Sequence, residues 1–230
     1  MTIRTLSAEE LCDRIDALIA DRSLLKHPFY QTWQAGELSL DALRGYACQY
    51  YHHVLAFPTY VSGTHANCDD LADRQELLEN LVEEEQGPNN HPELWLRFGE
   101  ALGLRREEMI GSTPLPETTA LIETYRRITK DTPFVRGIAA LYAYESQVPD
   151  VAGTKMDGLK RFYGITDPQG LKFFIVHHVL DVEHSRVTRN LVAKYAETEE
   201  DQASAVSAVG EATQALWSFL DGVHREYVAA

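Results

Sequence analysis

Helical periodicity is the feature that most restricts the fold of this chain, because no segment shows the two-residue alternation of a β-strand. Apolar residues instead recur three and four positions apart along almost the whole sequence. Capping residues, glycines and prolines divide this pattern into segments of helix length. We therefore predict an all-α fold, a bundle of about seven to nine helices with no sheet.

The helix boundaries follow from local signals. Ser7 and Glu10 form a capping box that predicts a helix to about Arg22, and Pro28 predicts the first turn of a short helix that ends at Gly36. The remaining helices are predicted from Ser39 onwards with a kink at Pro58, from Asp69 or Asp70 to near Gly87, after His91 and Pro92, and over about 117–130, 133–147, 153–162, 169–196 and 200–227. The segment 111–116 is the best candidate for a domain boundary but is too short to separate two domains, so we predict one domain, 1–230.

The acidic composition excludes several classes of partner. The chain has 35 Asp and Glu residues against 21 Lys and Arg residues, a formal net charge of −14 at pH 7. Such a surface repels phosphate backbones and anionic lipids, so we expect neither nucleic-acid nor membrane binding. The three cysteines form no Cys-x-x-Cys pair and indicate reduced thiols, and the N-terminal segment has no apolar stretch of a secretory signal. We therefore expect a cytoplasmic protein, and a homodimer from the general frequency of such assemblies.

The segment 172–195 places three polar side chains on an apolar face. On a helix, Asp181 lies about 40° from His177, and His184 about 20° from it on the other side. The same face carries Phe173, Phe174, Leu180, Leu191 and Tyr195, whereas His178 and Glu183 point elsewhere. Polar groups buried in such a stripe are costly unless they are satisfied, and a divalent metal ion satisfies His and carboxylate ligands together. The alternative is a pair of core histidines bonded to an acid, or a stripe more exposed to water.

Two further segments offer inward carboxylates. Glu145 shares a helical face with core residues, although its place near a helix end also allows it to reach solvent. The leucine stripe before the acidic run puts Glu84 and Glu85 inward and Glu83 outward. A helix break at Gly87 and Pro88 then allows His91 to fold back beside Glu84. The alternative for this run is a solvated acidic helix end.

Together these segments supply six ligands of the kind that dinuclear carboxylate bundles use for iron or manganese. The predicted metal ligands are Glu84, His91, Glu145, His177, Asp181 and His184. No thiolate takes part, which disfavours a structural zinc site. The sequence therefore predicts a buried dinuclear metal centre that is open to dioxygen.

The order Glu-x6-His, then Glu, then His-x3-Asp-x2-His resembles the ligand pattern of the haem-oxygenase-like dimetal oxidases. Nearly the whole chain resembles the CADD-like para-aminobenzoate synthases and, more loosely, pyrroloquinoline-quinone synthase C and the thiaminase-like TenA proteins. The blocks that carry the resemblance are HPFYQTW, NLVEEEQGPNNHPELWLRF, LYAYESQVPDVAGTKMDGLKRFYG and FFIVHHVLDVEHS. All six ligand positions hold the matching residue type, and the implied fold is the haem-oxygenase-like helical bundle.

The resemblance implies an oxidoreductase that makes para-aminobenzoate from its own tyrosine at the dimetal centre. By position in the blocks, Tyr30 would be the consumed tyrosine and Lys155 the amino donor. The implied cofactors are two metal ions, Fe/Fe or Mn/Fe, with dioxygen and an external reductant as co-substrates. Such an enzyme turns over once, and its product feeds folate synthesis.

The residues alone say less about these positions. Tyr30 lies among Phe29 and Trp33, where a packed core tyrosine is the usual case, and Lys155 is expected to be exposed. A reactive lysine would have to be partly buried, so that its pKa falls and a neutral amine is present. Tyr50 or Tyr51 is a candidate radical-relay residue in an otherwise core-like aromatic stretch.

Other functions remain open at this level. One is a dimetal oxidase of the same fold that acts on a separate small molecule, such as an amino acid or a fatty acid. Another is a cofactor-free oxidase resembling pyrroloquinoline-quinone synthase C, whose six ligand-type residues would hold no metal. A third is a non-catalytic interaction protein, although binding alone does not need polar residues on core-facing stripes.

Overall fold

The computed structural model describes residues 5–130 and 133–229. Within these residues there are eleven α-helices, one short 3-10 turn and no β-strand, which confirms the predicted all-α fold. The helices are α1 (Ala8–Asp21), α2 (Pro28–Ala35), α3 (Leu40–Ala66), α4 (Leu71–Glu85), α5 (His91–Ala101), α6 (Arg106–Ile110), α7 (Pro116–Lys130), α8 (Phe134–Glu145), α9 (Val148–Phe162), α10 (Lys172–Tyr195) and α11 (Glu199–Tyr227). Their number exceeds the predicted seven to nine because short helices such as α6 add to the long ones. The N-terminal segment, in which no secretory signal was predicted, begins with four residues that lie outside the described residues.

The predicted helix signals have the expected geometry. The Ser7 hydroxyl accepts a hydrogen bond from the Glu10 amide at 3.2 Å, and the Glu10 carboxylate accepts one from the Ser7 amide at 2.8 Å. Gly36 ends α2 with a φ of +73°, a conformation that favours glycine because a β-carbon would be strained there. Both boundaries are therefore confirmed.

Pro149 was predicted to lie between two helices, but the structure places it inside α9. The structure starts α9 at Val148, five residues before the predicted start, because Pro149 lies in its first turn, where a missing amide hydrogen costs no helical bond. Helix α3 runs from Leu40 to Ala66 with Pro58 inside it, and the kink at Pro58 stays a prediction. The earlier start of α9 places Lys155 in the middle of a helix.

One continuous hydrophobic core contains residues from Leu11 to Val223. Helix α10 packs against α4, α5, α8 and α9, so the helices that carry the predicted ligands meet on one side of this core. The segment 111–116 is tied to α3, because the Gln49 side chain accepts from the Leu115 amide at 2.8 Å and donates to the Thr113 carbonyl at 3.0 Å. Among the described residues, no helix is both long enough and apolar enough to cross a membrane.

Candidate metal centre

Four helices bring the six predicted ligands to one region of the core. They are Glu84 near the end of α4, His91 at the start of α5, Glu145 at the end of α8, and His177, Asp181 and His184 on α10. Five of these residues are at most 3 % exposed, whereas the His184 side chain is 11 % exposed. The cluster is thus enclosed, and His184 is the member that solvent reaches.

The tightest part of the cluster is formed by Glu84, His91 and His177. One ligand atom from each lies within 4.8 Å of the others, and the two histidine rings have centroids 4.2 Å apart. Helix α4 ends at Glu85, and Gly87, with a φ of +80°, lies in the connection that returns the chain to α5. The predicted approach of His91 to Glu84 across this break is confirmed.

The donor atoms of this group suit a metal ion. His91 Nδ1 lies 2.7 Å from Glu84 Oε2, at ion-pair distance but without hydrogen-bond geometry, and this buried nitrogen has no hydrogen-bond partner among the described residues. The Nδ1 atom of His177 donates to the Phe173 carbonyl at 2.7 Å, which leaves Nε2 with a free lone pair. Nitrogen and carboxylate donors that face one another at these distances form a set that a divalent ion fits.

The other three ligands form a second group. The Nδ1 atom of His184 lies 3.2 Å from Asp181 Oδ1. The Glu145 carboxylate accepts from the Asn80 amide at 2.7 Å and from the Thr188 hydroxyl at 3.2 Å. Within residues 5–130 and 133–229, no Lys or Arg forms an ion pair with Glu145 or Asp181, so their negative charge lacks a permanent cation.

Asn80 and Thr188 are site residues that the sequence analysis missed. Asn80 precedes Glu84 by four residues, and Thr188 follows His184 by four. Residues four apart lie on the same helical face, so extending each polar stripe by one turn would have found both.

Burial and neighbouring charges together set the protonation of this cluster. Burial raises the pKa of Glu145 to about 7, against the lowering effect of His184, and it raises the pKa of Asp181 to about 6. Burial also lowers the pKa of His177 well below its ordinary value. For His184 burial acts in the same direction, but the bond to Asp181 and the charge of Glu145 outweigh it and raise the pKa to about 9. A divalent cation would relieve the cost of burying these carboxylates.

Three other predictions concern side-chain direction. Glu85 is exposed, so its predicted inward position is wrong: the buried face of α4 runs through Leu77, Asn80 and Glu84 and excludes the next residue. Glu83 points outward as predicted, as do His178 and Glu183 on α10.

Lys155 is buried, contrary to the exposed position expected from its residue type. The residue is only 3 % exposed, and its Nζ donates a hydrogen bond to the Tyr46 hydroxyl at 2.7 Å. The Tyr46 hydroxyl is also hydrogen-bonded to the Tyr30 hydroxyl at 3.0 Å. Nζ lies 5.2 Å from the Tyr30 ring centroid and 4.8 Å from that of Tyr50. Burial lowers the pKa of Lys155 well below its usual value, which favours the neutral amine.

Aromatic side chains connect this lysine to the ligand cluster. The Tyr46 ring stacks on Tyr50 with centroids 5.3 Å apart, and the Tyr50 hydroxyl lies 2.5 Å from the Tyr144 hydroxyl. Tyr144 immediately precedes the ligand Glu145. The arrangement is compatible with electron transfer between the two sites, and the relay role of Tyr50 or Tyr51 stays a prediction.

Comparison with known families decides the class of the protein. A profile of the family described as "Iron-containing redox enzyme" matches residues 44–217. The chain belongs to the iron-containing redox enzymes. The family is a group of oxidoreductases, and its iron fits the His and carboxylate donors brought together here.

Individual relatives in this family cover almost the whole chain. A protein of Nitrosomonas europaea named 4-aminobenzoate synthase is 45 % identical over 94 % of this chain and 92 % of its own length. A protein of the same name from Chlamydia muridarum is 40 % identical over 91 % of this chain and 88 % of its own. The crystal structure of a TenA homologue from Pseudomonas syringae superposes with a TM-score of 0.82 at 16 % identity, covering 97 % of this chain and 98 % of its own. The resemblance read from the sequence blocks is confirmed, and so is the haem-oxygenase-like fold.

Proposed function

We propose that this iron-containing redox enzyme is a dimetal oxygenase that makes 4-aminobenzoate for folate synthesis from its own Tyr30, with Lys155 as amino donor. The names of the relatives at 40 % and 45 % identity support the product. The observation that carries the proposal for this chain is the buried contact between Lys155, Tyr46 and Tyr30. A buried lysine without a carboxylate partner is costly, and chemistry is a reason to keep one.

The conversion can be written so that atoms and electrons balance. The Cα–Cβ bond of Tyr30 breaks, Cα gains a hydrogen so that the residue becomes glycine, and Cβ loses its hydrogens and becomes the carboxylate carbon. This is a four-electron oxidation, for which one dioxygen accepts the electrons and supplies both carboxylate oxygens. At the other end of the ring, the Lys155 nitrogen replaces the phenol oxygen. Its bond to Cε breaks and Cε takes up a hydroxyl group in its place, so this exchange involves no net change in electrons. Each chain can therefore form one product molecule.

The protein side chains provide the amine and hold the ring. Because burial lowers its pKa, Lys155 keeps the lone pair that a nitrogen donor needs. The Tyr46 hydroxyl bonds to both reacting groups and so positions them relative to each other. Tyr30 is 2 % exposed, and this closed packing favours an internal substrate over a separate small molecule.

We further propose that the six predicted ligands hold two metal ions, either two irons or a manganese and an iron. Bound there, the ions would supply the activation of dioxygen, and an external reductant would bring them to the reduced state first. The proposal includes a cytoplasmic location, supported by the free thiols of Cys12, Cys48 and Cys68. A homodimer stays a prediction.

Substitution of adjacent histidines tests the metal centre. We expect His177→Ala to lower the metal content from about two ions per chain to one or fewer, because it removes a buried nitrogen donor. The matched control is His178→Ala, since His178 is exposed and, among the described residues, bonds only to the Pro149 carbonyl. Metal analysis after anaerobic loading with iron and manganese gives the result, and equal metal content in both variants would remove His177 from the site.

Isotope labelling tests the source of the product. Protein expressed with lysine labelled at its side-chain nitrogen is purified, loaded with metal and supplied with dioxygen and a reductant. We expect 4-aminobenzoate one mass unit heavier than unlabelled product. Unlabelled product would show that the amino group comes from elsewhere, and complete absence of product would contradict the proposed activity.

A further inference from the structure

A cavity of about 110 Å³ lies between α4 and α10, directly beside the ligand cluster. We call it the α4–α10 cavity. It is lined by five residues of α4 between Glu76 and Glu83 and by five residues of α10 between Leu180 and Thr188, including His184. A space of this size holds several water molecules. It therefore gives solvent a path to the one ligand that is not fully buried.

Three polar residues of the cavity wall belong to the proposed metal centre. Asn80 and Thr188 bond to a proposed ligand, and His184 is itself a proposed ligand. Asn80 donates to Glu145 at 2.7 Å, Thr188 donates to the same carboxylate at 3.2 Å, and His184 contacts Asp181 at 3.2 Å. Asn80 is 4 % exposed, and its Oδ1 has no hydrogen-bond partner within residues 5–130 and 133–229. A buried amide oxygen left without a donor is suited to a hard cation or its water.

The outer part of the α4–α10 cavity is negatively charged. Glu76, Glu79, Glu83 and Glu183 line it. Arg186 pairs with Glu183 and also lies in the field of Glu76, and His184 contacts Glu83. No cation pairs with Glu79 in the part of the chain that the structure describes. A cavity lined by one sign of charge raises the local concentration of the opposite ion.

Glu83 connects the surface to the interior. Its side chain is 41 % exposed, and its Oε2 lies 3.0 Å from His184 Nε2. The other nitrogen of His184 contacts Asp181, which is 2 % exposed. The series Glu83, His184, Asp181 thus runs from solvent to the buried ligands, and Glu83 is adjacent in sequence to the ligand Glu84.

We propose that the α4–α10 cavity is the route by which divalent cations reach the buried ligands, and that Glu83 is the carboxylate that binds the incoming ion before His184 does. The inference rests on the proposed metal centre. It assigns to Glu83 a role in the rate of metal uptake and not in the completed site.

The test uses the whole metal-free chain and Co²⁺ as the probe, because Co²⁺ bound to nitrogen and oxygen ligands can be followed by absorbance after rapid mixing. We expect Glu83→Gln to slow Co²⁺ uptake about tenfold, since a charge that concentrates the ion is lost. Loss of Co²⁺ to excess EDTA should slow to a similar degree, and the final Co²⁺ content should equal that of the wild type. Raised ionic strength should slow the wild type more than the variant.

The control is Glu85→Gln, which removes an exposed carboxylate two residues away that does not line the cavity. The proposed route is supported if Glu85→Gln takes up and loses Co²⁺ at wild-type rates while Glu83→Gln does both more slowly. Wild-type rates in Glu83→Gln would overturn it, and so would a lower final Co²⁺ content, which would make Glu83 a ligand. Failure of the wild type itself to bind Co²⁺ would contradict the metal centre instead.

Discussion

We expect the Tyr30→Phe variant to form no 4-aminobenzoate, while its metal content and helix content stay at wild-type levels. The proposed reaction consumes the phenol ring of Tyr30, and a phenylalanine ring has no oxygen to exchange for nitrogen. The substitution keeps the packing against Phe29 and Trp33 and removes one hydrogen bond, to Tyr46, at a cost of about 1 kcal/mol. Mass spectrometry of the small-molecule fraction and of the intact chain measures the outcome, since the wild type should lose the mass of a side chain.

Tyr60→Phe is the matched control for this experiment. Tyr60 is also fully buried, but its hydroxyl has no hydrogen-bond partner within the described residues. Replacement by phenylalanine should therefore leave both product and fold unchanged or slightly stabilise the fold. Undiminished product from Tyr30→Phe would show that the ring comes from another tyrosine or from a separate substrate.

The ligand cluster was predictable because its polar residues interrupt apolar helical stripes. On α10 the spacing of His177, Asp181 and His184 fixes a common face without tertiary information, and the structure buries that face as expected. The approach of His91 to Glu84 followed from a helix break whose direction the sequence allowed but did not determine. The inward placement of Glu85 failed because adjacent residues on a helix are about 100° apart and the buried face of α4 is narrow.

The surroundings of Lys155 were not predictable from the residues. Lysine is usually exposed, and the apolar neighbours of Lys155 on α9 do not reveal what packs over its amine. That cover includes tyrosines on α2 and α3, more than a hundred residues earlier in the chain. The same holds for the Tyr50 and Tyr144 contact, which joins two helices 94 residues apart. Burial of a polar group by residues distant in sequence leaves no local sequence pattern. The role of Lys155 was therefore predicted from the resemblance to a family and not from the spacing of residues.

The burial of Lys155 leads to the second large effect. We expect Lys155→Met to raise the thermal midpoint of the metal-free chain by roughly 5 °C at pH 7, since a methionine of similar size removes the cost of burying an amine. In the folded chain burial depresses the pKa of Lys155, whereas the unfolded chain keeps it near about 10.4. As the pH falls below the unfolded value, the unfolded chain takes up a proton that the folded chain does not, so the wild type loses stability. The increase in thermal midpoint of Lys155→Met over the wild type should therefore be larger at pH 7 than at pH 10.

The control is Lys160→Met, an exposed lysine on the same helix, for which we expect no comparable change in midpoint. The same Lys155→Met variant should also form no 4-aminobenzoate. Its thermal midpoint and its product formation are therefore measured together. If Lys155 served only the structure, replacing it would not stabilise the fold. A reactive amine, in contrast, is retained although its burial costs stability. Product formation by Lys155→Met would identify another amino donor. A midpoint that falls at pH 7 would mean that the contact of Lys155 with Tyr46 contributes more to stability than the burial of the amine costs.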